Sequence, residues 1–110
     1  MTDLNIIKDS TELRKLIAEN PELPIVVLAS EDSWNEESFA WCFCSNVRAA
    51  IDEILDCELP FGYGKVFNDR DEFEEELAIY LDVPDEDIFQ RELEKYNPYW
   101  KKVIAIYADN

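Results

Sequence analysis

The chain has 110 residues, 47% of them hydrophobic, and its 26 carboxylates face only 10 lysines and arginines, a formal net charge of −16. That length suits one globular domain, expected to span residues 1–110, and three Trp, five Tyr and six Phe are too many for a solvated, disordered tail. The charge argues against direct nucleic-acid binding, which needs a basic stripe to neutralise phosphates. The absence of histidine removes the usual general base and metal ligand, and two glycines, Gly62 and Gly64, do not make a phosphate-binding loop.

The first ten residues show no basic segment followed by an apolar stretch, so no signal peptide is expected. The longest uncharged run, residues 38–47, is too short to span a bilayer. Three cysteines (Cys42, Cys44, Cys57) form an odd set that fits reduced thiols, and the expected setting is cytoplasmic, away from membranes.

In chain order, a first helix is expected over residues 11–20. Asp9 or Ser10 caps it, Leu13, Leu16 and Ile17 form its apolar stripe, and Asn20-Pro21 ends it. Residues 24–29 (PIVVLA) are a continuous apolar run and read as a buried strand. Residues 31–37 are an acidic hairpin loop around Trp34. Residues 38–44 then alternate, with Phe39, Trp41 and Phe43 on one side and Ala40, Cys42 and Cys44 on the other, which predicts a second strand antiparallel to the first.

Asn46 is a plausible cap for a second helix, because Val47, Ala50, Ile51, Ile54 and Leu55 recur at helical spacing. Residues 59–64 hold Pro60 and both glycines and read as a loop, followed by a short strand at 65–67. Asn68 or Asp69 starts a third helix through Leu81, with Phe73, Leu77, Tyr80 and Leu81 as its core stripe. Pro84 opens a fourth over 85–96, buried through Ile88, Phe89, Leu93 and Tyr96, with Asn97-Pro98 as its stop. Residues 102–108 (KVIAIYA) read as a strand buried on both faces, and therefore central. The expected class is α+β: a three- or four-stranded, mainly antiparallel sheet with about four helices covering one face, in the order α-β-β-α-β-α-α-β.

No nucleophile–base pair is evident, so catalysis, cofactors and metals are not expected. Cys42, Cys44 and Cys57 are one ligand short of an ordinary zinc set and read as small core residues. Asp82, Asp85, Glu86 and Asp87 lack the alternation and glycine turn of a calcium loop. They read as complements to a helix N-terminus, with Asp87 and Arg91 spaced for an i, i+4 pair.

The charge is unevenly placed. Residues 52–95 hold 16 carboxylates and four bases, a net −12 of the −16. Asp71, Glu72, Glu74, Glu75 and Glu76 fill five of six consecutive positions. With a helical rise of about 1.5 Å per residue, such a segment approaches the charge density of duplex DNA, one phosphate per ~1.7 Å. Ile79 falls beside Glu72 and Glu75 on the helical wheel, an apolar residue inside an acidic face, as at an interface where charge steers and apolar contact holds. These six residues, with Trp34, are the candidate partner-binding set. Tyr99 and Trp100 are comparable candidates, each either packed or awaiting a partner.

The stretches Phe67-Asn-Asp-Arg-Asp-Glu-Phe-Glu-Glu-Glu and Asn97-Pro-Tyr-Trp-Lys-Lys-Val-Ile-Ala-Ile-Tyr resemble small acidic hypothetical proteins of Gram-positive phages and mobile elements. The resemblance covers the C-terminal half and carries no functional residue. It implies a mobile-element setting, in which small acidic proteins include DNA mimics that block nucleases. The expected function is thus an acidic protein-binding domain of DNA-mimic or inhibitor type, with a basic, nucleic-acid-binding protein as partner. The alternatives are an acidic accessory or oligomerising protein whose charge serves solubility, and a carboxylate-dependent metal enzyme.

Overall fold

A computed structural model of the chain describes residues 2, 9–30, 44–62 and 65–109. The class is α+β, with three α-helices and a three-stranded mixed sheet among the described residues. The elements are α1 (Thr11–Glu19), β1 (Ile25–Ala29), β2 (Asn46–Leu55), α2 (Arg70–Leu81), α3 (Glu86–Glu94), a 3-10 turn (Asn97–Tyr99) and β3 (Trp100–Asp109). The sheet order is β1-β3-β2, so β3 is central, as its continuous apolar run predicts.

Four expectations are corrected. Residues 46–55 form a strand, not a helix. Val47, Ile51 and Leu55 are spaced by four, an even number, so a strand aligns them on one face as well as a helix does. Three β-branched residues in ten then favour the strand. Second, residues 65–67 belong to no strand; their tie to β2 is one hydrogen bond, from the Leu55 amide to the Phe67 carbonyl (3.0 Å). Third, β1 is a half-exposed strand at one end of the sheet order, and it pairs parallel with β3, from Ile25↔Ile104 to Ala29↔Ala108. Fourth, the sheet is therefore mixed and not mainly antiparallel. The strand expected at 38–44 lies outside the described residues, apart from Cys44, which precedes β2 in no regular element.

Helix ends follow the capping chemistry. Asp69 accepts hydrogen bonds from the amides of Asp71 (2.9 Å) and Glu72 (3.4 Å), and Asp85 does the same for Asp87 (2.9 Å) and Ile88 (3.3 Å). At α1 the work falls to Asp9, which accepts from the Thr11 amide (2.9 Å) and hydroxyl (2.6 Å); Ser10 makes no side-chain cap. These hydrogen bonds, the hydroxyl's foremost, hold the Asp9 carboxyl below its usual range. α2 ends at Asp82, whose left-handed backbone (φ 48°) turns the chain out of the helix.

The described residues fall into two compact units, one drawn from residues 1–52 with 103–110 and the other from 53–102. In the first, Val103, Ile104 and Ala105 of β3 are buried. The β1–β3 ladder there is extended by the Ile104 amide to Pro24 and the Ser30 amide to Ala108. The second unit has a continuous core of Leu55, Phe67, Phe73, Leu77 and Phe89, against which Leu59, Phe61, Leu93, Tyr96 and Trp100 pack. Phe73 is its centre, with ring centroids 5.3 Å from Phe67, 5.0 Å from Tyr96 and 6.0 Å from Trp100 in edge-on geometry.

Candidate protein-binding face

The acidic segment lies on α2, in the second unit. Phe73 and Leu77, one turn apart, are 1% exposed and pin the helix to the core. Every position on the opposite side is then turned outward, and there Asp71, Glu72 and Glu75 are exposed while Glu76 is half-buried on the shoulder. Asp71 and Glu72 also sit in the first turn, where they complement the helix dipole.

Ile79 is 75% exposed, the most exposed large apolar residue among those described. Glu72, Glu75 and Glu76 precede it by seven, four and three positions, so all three share its side of the helix. Glu74 does not. It is half-buried and five positions from Ile79, roughly 140° away around the axis, so the five carboxylates do not form one face. Trp34 lies outside the described residues.

Glu72 pairs with Lys65 at 3.3 Å, with both side chains about half exposed. Among the described residues no cation pairs with Asp71, Glu74, Glu75 or Glu76. Like charges one turn apart, Asp71 with Glu75 and Glu72 with Glu76, each cost the helix about 0.2–0.5 kcal/mol. The core contacts of Phe73 and Leu77 outweigh that cost several-fold.

Tyr80 departs from the expected core stripe. It is 49% exposed, with its ring stacked on Phe61 at 5.0 Å and 28°. The helical spacing alone could not show this, because the ring's placement depends on the 59–62 loop. Ile88 of α3, also expected in the core, is 44% exposed, and the Asp87–Arg91 pair does not form. Trp100 packs in the core, whereas Tyr99 is about half exposed.

Chemistry beyond charge is sparse. Among the described residues no group of three or more Cys, Asp or Glu is placed to hold a metal ion. Cys44 and Cys57 are free and half-buried, and burial, then Asp56, pushes the Cys57 thiol up. Cys42 lies outside the described residues. No helix among those described is long and apolar enough to cross a membrane. Comparison with known proteins yields no match: no family model, curated sequence or solved structure is significantly similar to the chain.

Proposed function

We propose that the chain is an acidic protein-binding domain whose α2 face enters a basic groove of another protein, as a DNA mimic enters the nucleic-acid channel of a nuclease. The observation that carries this reading is Ile79, three-quarters exposed among Glu72, Glu75 and Glu76. An interface uses carboxylates to steer and an apolar anchor to hold, and Ile79 is more exposed than any other large apolar side chain among those described. The test is competition. The protein should displace duplex DNA from a basic nucleic-acid-binding partner, with affinity falling steeply between about 50 and about 200 mM salt. Reversing Glu72, Glu75 and Glu76 to lysine should weaken binding by two orders of magnitude or more with the circular dichroism unchanged. Normal binding by the triple variant would place the surface elsewhere.

The alternative of an oligomerising accessory protein has its own support, in the first unit. Paired strand residues share a face, so Ile25 and Val27 lie with Ile104 and Ile106, and Val47 and Ile51 alternate with Arg48 and Asp52, which attend Tyr107 on the other side. Ile25, Val27, Val47 and Ile51 are thus exposed on one sheet face. Light scattering across a concentration series distinguishes the readings: a mass that doubles, and reverts on Val27→Asp, supports self-association.

A further inference from the structure

Among the described residues, three cations are lodged against an aromatic ring, with a carboxylate close by. The guanidinium of Arg70 sits 4.8 Å from the Trp100 ring centre, and its Nε donates to Glu53 at 2.6 Å. Glu53 also raises the guanidinium's affinity for its proton. The Lys65 ammonium lies 4.9 Å from the Phe67 ring centre and 3.3 Å from Glu72. Arg48 stands 4.1 Å over Tyr107, whose hydroxyl donates to Asp52. A ring face and a carboxylate attract the same cation by different parts of their charge distribution, and the two attractions add.

Tyr80 and Glu76 stand one turn apart on α2, a ring and a carboxylate on one side of the helix. Phe61 backs one face of the Tyr80 ring, Tyr80 is half exposed, and Glu76, four positions earlier, is half-buried. Among the described residues no lysine or arginine stacks on Tyr80 or pairs with Glu76. We propose that Tyr80 and Glu76 form a subsite for an arginine side chain of the partner. This rests on the reading of α2 as the partner-binding face and adds to it a preference that charge alone does not supply. Arginine is the fitting cation because a planar guanidinium stacks on the ring while its fork reaches the carboxylate; an ammonium is a point charge with no plane. A half-buried Glu76 has less side-chain freedom to lose on binding than an exposed one.

The experiment titrates the full chain, at low salt, with two nine-residue peptides of alternating sequence, arginine–glycine and lysine–glycine, equal in charge. Calorimetry reads affinity, and side-chain NMR reads where each peptide lands. The arginine peptide should bind more tightly, by as much as roughly five-fold, the whole of one exposed cation–ring contact. It should also shift the Tyr80 ring resonances more than the lysine peptide does, a measurement made on the unaltered chain. Tyr80→Leu should bring the two affinities together, and Tyr80→Phe should keep them apart. Equal affinities in the unaltered chain, or a preference that survives Tyr80→Leu, overturns the subsite. If both peptides still bind and both lose affinity on reversal of Glu72, Glu75 and Glu76, the acidic face stands without it. If neither peptide binds, the reading of that face fails as well.

Discussion

The two units of the chain hold themselves together by different means. The unit of residues 53–102 has a ring-on-ring core around Phe73, and its helices begin at capping aspartates. In the other, the buried residues among those described, Val103, Ile104 and Ala105, all lie on one strand, β3, and Ile25, Val27, Val47 and Ile51 are 38–64% exposed. The candidate binding helix belongs to the first kind. A helix with like charges one turn apart on its outer side needs an apolar seat beneath it, and Phe73 with Leu77 provides one.

If that contrast holds, Phe73→Ala should cost about 3–5 kcal/mol in chemical denaturation, the range for emptying a buried aromatic site. Val27→Ala, at a side chain 64% exposed, should stay within about 0.5 kcal/mol. Equal costs would erase the difference between the units. Next in size is capping: Asp69→Ala should remove about 1 kcal/mol through α2, whereas Ser10→Ala, with no cap to lose, should be silent.

The pH dependences separate the units further. Burial, followed by Cys57 and Glu92, pushes the Tyr96 phenol up, and Cys57 is itself raised. The folded state thus keeps protons that an unfolded thiol (about 8.5) and phenol (about 10) release. Stability in the 53–102 unit should be full below about pH 8 and decline as pH rises through those values. Cys57→Ser should postpone the onset to the phenol range, as followed by near-ultraviolet circular dichroism. Asp9 has the opposite sign: its contribution is present above the ordinary carboxylate value and is lost as pH falls through its lowered one. Thr11→Val should move the Asp9 titration, followed by NMR, back toward that ordinary value. An unmoved midpoint would contradict the hydroxyl's role.

Legibility in the sequence tracks how local the deciding interaction is. α2 and α3 could be placed because their buried Phe73, Leu77 and Phe89 and the start signals at Asn68-Asp69 and Pro84 fall within or beside one helix's own span. The cap of α3, however, is Asp85, which the sequence pattern puts inside the helix. Ile79 could be found because its exposure follows from where Phe73 and Leu77 point. Strand β2 could not, since its apolar spacing of four satisfies both periods and only pairing with β3, some 50 residues on, decides between them. The parallel β1–β3 pairing was hidden for the same reason. Tyr80 looked like core by its helical position, and a loop residue ten to twenty positions earlier, Phe61, decides otherwise.

The central position of β3 has a consequence for how the protein is made. Its contacts with β1 join residues 79 positions apart, as in the hydrogen bond from Ser30 to Asp109. Residues 53–102 are one uninterrupted stretch, within which no two residues are more than 49 positions apart. The sheet of the other unit must instead close across that whole stretch, because β1 and β2 both pair with β3. Until β3 pairs with it, β1 is an apolar strand without its parallel partner, the kind of segment that chaperones retain and that aggregates when they do not. Pairing so distant in sequence also closes late and slowly. The rate at which β3 docks, and not only the finished fold, therefore bears on the yield of soluble protein.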